Sequence, residues 1–174
     1  MRDDQHSTDR IAASTFRSVL GHLPTGVTVV AAAGSDGPVG LTIGSFTSVS
    51  LDPPLVGFLV QSSSHTWVEI QRSQAFCANV LSTSQADLCW RFAKAPVDAD
   101  RFEGVPWRTE ATGSPVIEGA VAWIDCSIAL VHETGDHQFV VGEVRGLGTH
   151  FDCGSELAPL IFCRGAIGGF TTDS

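Results

Sequence analysis

The chain opens with a polar segment that is followed by an apolar stripe with helical spacing. Residues 1–10 are polar and acidic, which predicts a flexible terminus and argues against a signal or transit peptide. Apolar residues then recur at positions i, i+3, i+4 and i+7, namely at Phe16, Val19, Leu20 and Leu23. This spacing predicts a helix over residues 9–23, and Pro24 ends it.

Runs of β-branched and small residues predict about seven short strands. Residues 26–33 predict the first strand, and the turn-forming residues 34–38 predict a hairpin to a second strand at 39–46. Residues 55–60 are continuously apolar, which predicts a strand buried on both faces. The remaining strands are predicted over residues 76–81, 121–131, 139–144 and 160–163. In the strand predicted over residues 121–131, alternation places four residues on one face: Ile124, Cys126, Ile128 and Leu130.

Polar residues at helix starts predict two further helices. Ser64 has the position of an N-cap for a helix over residues 65–72. Ser84 and Asp87 resemble a capping box and predict a helix that runs to about Lys94.

The order of these elements favours one fold class. Residues 95–118 are interrupted by prolines and glycines, which predicts a long irregular crossing. Strands and helices do not alternate regularly, so a doubly wound parallel sheet is disfavoured. We therefore expect a mainly β protein, a mostly antiparallel barrel with peripheral helices, in one domain over residues 11–170.

Composition and charge exclude several classes of partner. The 174 residues carry a formal net charge of −9, and the only lysine is Lys94. The basic stripe of a nucleic-acid-binding protein is missing, and an anionic membrane surface would repel the chain. No apolar run approaches the ~20 residues that span a bilayer. A phosphate-bearing ligand must therefore be held mainly by groups other than lysine.

The cysteines and histidines predict neither disulfides nor a metal site. The five cysteines are widely spaced and form no CxxC pair: Cys77, Cys89, Cys126, Cys153 and Cys163. The histidines also lack ligand spacing, so we expect no metal. Most of the cysteines have apolar neighbours, which predicts buried, reduced thiols and a cytoplasmic location.

Two clusters of hydroxyl residues are the first candidates for ligand binding. One extends from Thr42 to Ser50, and the other from Ser62 to Thr66 at a predicted helix start. Hydroxyls and backbone N–H groups bind phosphate where cations are scarce, and helix N-termini favour anions. The alternatives are an exposed sheet edge for the first cluster and an ordinary N-cap for the second.

A third candidate is the segment Gly135-Asp136-His137. Its histidine is a candidate for orienting a ligand or exchanging a proton, and the alternative is a hairpin turn in which the aspartate caps its own backbone. Neither a GxGxxG fingerprint nor a GxSxG elbow is present. We interpret Asp98, Asp100 and Glu103, which lie near Arg101, as a solvated face.

Together these segments resemble the flavin reductase-like family with an FMN-binding split barrel. More narrowly, the chain is similar to the small reductase components of two-component flavin-dependent monooxygenases. The matching segments run in family order from about residue 11 to 170 and include PTGVTVV at 24–30, SFTSVSLDPP at 45–54, SHT at 64–66, GDH at 135–137 and GEV at 142–144.

The resemblance implies an antiparallel Greek-key split barrel and a homodimer with flavin near its interface. It implies contacts with the isoalloxazine ring and ribityl chain from Thr42, Ser45, Phe46, Thr47, Ser48 and Ser50. It implies a phosphate site at Ser62, Ser63, Ser64 and Thr66, with Asn79 and Leu81 close to the same pocket. It associates Gly135, Asp136 and His137 with the nicotinamide nucleotide, and His137 would position the nicotinamide.

The activity implied is hydride transfer from NADH or NADPH to FMN or FAD, with reduced flavin passed to a partner monooxygenase. In such chemistry the cofactors carry the reactivity and the protein orients them. Two alternatives stay open: a split-barrel flavoprotein that oxidises or oxygenates its own substrate, and a non-catalytic flavin- or haem-binding protein.

Overall fold

The computed structural model describes residues 11–94, 96, 99–149 and 157–170. The predicted flexible segment 1–10 lies outside the described residues, as do Cys153 and Asp98. The division into this segment and one domain over residues 11–170 therefore stays a prediction.

Three antiparallel sheets and three peripheral α-helices make up the described part of the chain. The strands are β1 Thr25–Gly26, β2 Thr28–Gly34, β3 Gly37–Ile43, β4 Thr47–Leu51, β5 Pro54–Gln61, β6 Ala75–Val80, β7 Trp107–Thr109, β8 Pro115–Ile117, β9 Ala122–Thr134, β10 His137–Thr149, β11 Leu160–Cys163 and β12 Ala166–Gly169. The helices are α1 Ala13–Leu20, α2 His65–Ser73 and α3 Ala86–Lys94, and a 3₁₀ turn at Thr83–Gln85 precedes α3.

The main sheet has seven strands in the order β3-β2-β6-β9-β10-β5-β4. Its hairpins β2–β3, β4–β5 and β9–β10 are joined by pairings between strands that are distant in sequence. The small sheets have the orders β1-β11-β12 and β7-β8. The expected mainly β, antiparallel architecture with peripheral helices is confirmed.

The core is divided between the two faces of the main sheet. One cluster is built around Phe58, whose ring meets Trp67 edge-on at 6.0 Å and Phe76 at 5.2 Å between centroids. The other lies under α3, where the rings of Phe92 and Phe102 are 4.9 Å apart. Strand β2 contributes Val30 and Ala32 to the first cluster and Val29 and Ala31 to the second, which explains the continuous apolar run from Val29 to Ala32.

Two predictions about strand faces are wrong. Strand β5 is not buried on both faces, because Leu59 is exposed. In β9, a register shift leaves Ala129 unpaired, since Ile128 pairs with Gly142 and Leu130 with Val141. This bulge reverses the alternation, so Leu130 is 56% exposed while Val131 packs against the core.

The boundaries of several elements also differ from the sequence predictions. The capping box forms between Ser82 and Gln85, not between Ser84 and Asp87. The crossing over residues 95–118 contains the β7–β8 hairpin, which pairs Trp107 with Ile117. Strand β12 was not predicted, and the described residues form twelve strands in all rather than about seven.

The described cysteines are free thiols. Cys77, Cys89 and Cys126 are buried, and Cys163 is half-buried. Burial, together with the nearby Asp125 carboxylate, raises the pKa of Cys77 and raises that of Cys126 to about 12. Across the described ranges, no three His, Cys, Asp or Glu side chains are grouped as metal ligands. None of the helices in those ranges has the length and apolar character to cross a membrane.

Candidate functional site

The structure brings two of the three candidate clusters together at the end of β5. The β5–β10 register pairs Gln61 with His137. The backbone N–H of Ser62 then donates to the carbonyl of Asp136 at 3.1 Å. The Ser62–Thr66 segment and the Gly135–His137 turn, far apart in sequence, therefore form one continuous surface.

Ser64 starts α2 at this surface. Its backbone N–H donates to the Gln61 carbonyl at 3.0 Å, which turns the chain out of β5. Its Oγ accepts the backbone N–H of Trp67 at 3.3 Å, so the predicted N-cap is confirmed. Ser62 and Ser63 are exposed just before the helix. The first turn of a helix also presents backbone N–H groups without intrahelical partners, which favours an anion.

Arg101 is a residue of this region whose role the sequence did not predict. Its Nη1 donates to the Gly40 carbonyl at 3.0 Å, to the Phe92 carbonyl at 3.2 Å and to Thr66 Oγ1 at 3.3 Å. The guanidinium is partly buried between β3, α2 and α3, and burial lowers its pKa. Of the acidic residues interpreted as a solvated face near Arg101, Asp100 and Glu103 are exposed, as expected.

A surface cleft of about 320 Å³ adjoins Thr66. It is lined by Val39, His65, Thr66, Val68, Glu69 and Arg72. Within it, Arg72 Nη1 and Glu69 Oε1 form an ion pair at 2.5 Å, so these two charges compensate each other.

The Gly135-Asp136 pair forms a two-residue hairpin turn between β9 and β10. Gly135 has φ +66°, which a glycine adopts without strain at the first central position of such a turn. Asp136 Oδ1 lies 2.7 Å from His137 Nδ1, and the His137 side chain is 44% exposed. The hydrogen bond from His137, followed by its charge, lowers the pKa of Asp136. In the imidazole tautomer that donates Nδ1–H to Asp136, Nε2 is the nitrogen that accepts a hydrogen bond from a ligand.

A partly buried hydrogen bond connects α2 to the strand that carries His137. The indole Nε1–H of Trp67 donates to Gln138 Oε1 at 2.5 Å, and Trp67 is almost completely buried. The sequence contained no signal for this pair, because the two residues are 71 positions apart. The bond links the start of α2 to the Gly135–His137 turn.

The first hydroxyl cluster lies along the β4 edge of the main sheet. Ser45 Oγ donates to the Leu59 carbonyl at 3.1 Å and accepts the Leu59 N–H at 2.9 Å, so it prolongs the β4–β5 ladder. Phe46 packs against the core. The edge itself presents Thr47, Ser48 and Ser50. Ser62 lies three residues beyond Leu59, or ~10 Å along an extended chain, so all three clusters adjoin the same strand.

Three predicted site residues lie elsewhere. Thr42 Oγ1 donates to the Cys89 carbonyl at 2.8 Å and so joins β3 to α3. Asn79 and Leu81 are both 0% exposed. The Asn79 amide bonds to backbone groups on three sides, including the N–H of Ile117 at 2.7 Å. The structure gives these residues roles in the fold and does not bring them to the common surface.

Comparison with known proteins adds an independent line of observation. Residues 20–171 match the family described as the flavin reductase like domain. A protein named flavin reductase from Pseudomonas putida is 51% identical over 156 residues, which cover 89% of this chain and 88% of that protein. The reductase subunit HsaB of a flavin-dependent monooxygenase from Mycobacterium tuberculosis is 44% identical over 161 residues, covering 90% of this chain and 81% of that protein.

A solved structure resembles the fold over nearly its whole length. It is the Streptomyces globisporus C-1027 NADH:FAD oxidoreductase SgcE6 in complex with NAD and FAD fragments. The TM-score is 0.83 at 36% sequence identity, and the match covers 92% of this chain and 94% of that one. This likeness confirms the expected split-barrel fold.

Proposed function

The chain belongs to the flavin reductase-like domain family, and on that premise we propose that it transfers a hydride from NADH or NADPH to FMN or FAD. The observation that carries the proposal is the convergence along β5 of the hydroxyl clusters with the Gly135-Asp136-His137 turn. A hydride donor and its acceptor must be held side by side, and this surface offers polar groups for both.

The donor set fits a flavin mononucleotide portion. The hydroxyls of Ser62, Ser63 and Thr66 and the backbone N–H groups of Ser63 and Thr66, together with the neighbouring guanidinium of Arg101, are suited to a phosphate. Backbone N–H groups near Phe46 and Thr47 are proposed to donate to the edge of the ring, where negative charge develops on reduction. The bound flavin supplies the electrophilic N5 that receives the hydride from nicotinamide C4.

His137 is proposed to orient the nicotinamide. Its Nδ1 is fixed by Asp136, and its half-exposed ring lies at the start of β10. Such a fixed tautomer would present Nε2 to a donor group of the nucleotide. Orientation alone lowers the barrier to a hydride transfer, and the proposal requires no acid–base pair.

We propose that the reduced flavin leaves for a separate monooxygenase component. A relative named as the reductase subunit of a flavin-dependent monooxygenase supports this partner. The free thiols Cys77, Cys89, Cys126 and Cys163 support a reducing compartment, and on that basis we propose a cytoplasmic location.

We also propose a homodimer. Helix α1 has no buried residue, and its apolar side chains Phe16, Val19 and Leu20 are exposed, as is Leu23 just after the helix. The β4 edge adds the exposed Val49 and Leu51. A patch of this kind is typical of an interface. Sedimentation should give twice the chain mass, and Leu20→Glu should shift it toward the monomer; a wild-type protein that sediments as a monomer at all concentrations contradicts the dimer.

The proposed activity is tested by the visible spectrum and by turnover with added flavin. We expect the protein to consume NADH only when FMN or FAD is added. This dependence distinguishes a reductase from a flavoprotein that acts on its own substrate and from a protein that only binds flavin. His137→Ala should raise the KM for NADH more than the KM for flavin. An unchanged KM for NADH would show that His137 does not contact the nucleotide. A rate of NADH consumption that is the same with and without added flavin would contradict the reductase function.

A further inference from the structure

The cleft that adjoins Thr66 lies between α2 and the β2–β3 hairpin. Its volume of about 320 Å³ is at the lower end of the range for small-molecule sites. His65, Val68 and Arg72 line it from positions i, i+3 and i+7 of α2, so they share one side of the helix. Val39 of β3 lines it from the sheet. Because Thr66 belongs both to this cleft and to the second hydroxyl cluster, the cleft continues from the proposed flavin site.

An ion pair that is attached to the hairpin forms one wall of the cleft. Arg72 Nη1 lies 2.5 Å from Glu69 Oε1. The Ser35 hydroxyl, in the β2–β3 turn, lies 3.2 Å from the other carboxylate oxygen of Glu69 and 3.3 Å from Asp36 Oδ2. Glu69 therefore connects α2 to the hairpin and holds the guanidinium of Arg72. Since Glu69 and Arg72 compensate each other and Asp36 adds a further negative charge, this wall favours an uncharged group over an anion.

The walls of the cleft suit a purine nucleoside. Val39 and Val68 provide apolar contact area. The imidazole of His65 and the guanidinium of Arg72 are planar groups of the kind on which bases stack. Adenosine is uncharged at neutral pH and has a flat base, and FAD carries it beyond its phosphates, whereas FMN lacks it. The ring, phosphate and adenosine portions of FAD thus follow each other in the same order as the β4 edge, the start of α2 and the cleft.

We propose that this cleft binds the adenosine half of FAD, so that the protein prefers FAD to FMN. The proposal rests on the proposed flavin site and deepens it, because it names which of the two flavin nucleotides is the preferred substrate. His65 and Val68 are the residues that determine this preference. Both line the cleft, and neither belongs to the groups proposed to hold the ring or the first phosphate.

The test compares FAD with FMN, because both carry the ring, the ribityl chain and the first phosphate. Isothermal titration calorimetry gives the Kd of each oxidised flavin without any turnover, and NADH consumption gives each KM. The wild-type protein should bind FAD at least about fivefold more tightly than FMN, which is the low end of the effect of stacking one base on a side chain. The ratio of the two KM values should change in the same direction.

Two variants alter the cleft, and a third is their control. Val68→Glu places a carboxylate at an exposed position in the cleft and should weaken FAD ~10-fold, while the Kd of FMN changes less than about twofold. His65→Ala removes a planar wall and should weaken FAD about fivefold, with FMN again unchanged. Gln71→Glu adds the same charge to α2 at a residue that does not line the cleft, so it should leave the ratio of the two Kd values unchanged. Should Val68→Glu fail to fold, His65→Ala still tests the proposal.

Several results would overturn the proposal. A wild-type protein that binds FMN as tightly as FAD would mean that the adenosine is not recognised. Equal weakening of FAD and FMN by Val68→Glu would mean that the cleft only supports the phosphate end of the site. A raised KM for NADH with an unchanged Kd for FAD would mean that the cleft holds the adenosine of the nicotinamide nucleotide instead. Flavin binding without NADH-dependent turnover would contradict the proposed function, and the ratio of the Kd values for FAD and FMN would still test the cleft.

Discussion

The buried amide of Asn79 offers a quantitative test of whether this residue serves the fold or the ligand. Asn79 is 0% exposed; its Oδ1 accepts the Ile117 N–H at 2.7 Å, and its Nδ2 donates to the carbonyls of Pro115 at 3.1 Å and Val29 at 3.3 Å. It therefore attaches the β7–β8 hairpin to the main sheet. Asn79→Leu keeps the number and branching of the side-chain heavy atoms and removes all of these bonds.

The expected cost follows from the groups left behind. The Ile117 N–H would remain buried without a partner, which costs about 2 kcal/mol, and the lost donated bonds add about 1 kcal/mol. A total of about 3 kcal/mol is a large share of the stability of an ordinary domain. For a chain of this size it lowers Tm by about 6–12 °C.

Urea unfolding at one fixed protein concentration measures this change, since the stability of the proposed dimer would depend on concentration. Ser48→Ala is the matched control, because Ser48 is also a predicted flavin contact but is exposed on the β4 edge. We expect its unfolding free energy to change by less than about 0.5 kcal/mol. A loss below about 1 kcal/mol for Asn79→Leu, combined with a strongly raised flavin KM, would refute the structural role.

Three further predictions concern the site's supports. Gln138→Leu leaves the Trp67 indole N–H buried without an acceptor, so it should cost about 1–3 kcal/mol in urea unfolding and raise the NADH KM; no change in either would exclude the link. His137→Ala should raise the pKa of Asp136 toward its ordinary value, and NMR titration measures this change. In the wild type, the Asp136–His137 pair stabilises the turn at pH values above the ordinary pKa of an aspartate. This stabilisation is lost as the pH falls through the lowered pKa of Asp136. Ser64→Ala should destabilise the protein by about 1 kcal/mol through the lost N-cap, and an unchanged urea midpoint would contradict this.

Local sequence signals predicted the elements that depend on neighbouring residues. The Ser64 cap and the strand Leu160–Cys163 were predicted because their signals lie within a few positions. The alternation pattern predicted the wrong face for Leu130, because the bulge in β9 depends on how β9 pairs with β10. The sequence of one strand does not show how its partner strand pairs with it.

The sequence predicted only those parts of the site that consist of neighbouring residues. The hydroxyl clusters and the Gly135–His137 turn are visible as short segments, so the sequence located them. Contacts between distant positions were missed, such as Arg101 with Thr66 and Trp67 with Gln138, which are 35 and 71 positions apart. Asn79 was assigned to the cofactor by resemblance, whereas its burial depends on how β6 packs under the β7–β8 hairpin.

Anaerobic reduction of free flavin tests most directly whether the polar surface along β5 supports hydride transfer to flavin. Catalytic amounts of the protein are mixed without oxygen with excess FMN or FAD and excess NADH or NADPH. We predict that the visible flavin absorbance bleaches to completion over many turnovers, with one nicotinamide oxidised for each flavin reduced. Bleaching no faster than in the protein-free mixture, with either flavin and either nicotinamide, would contradict the account.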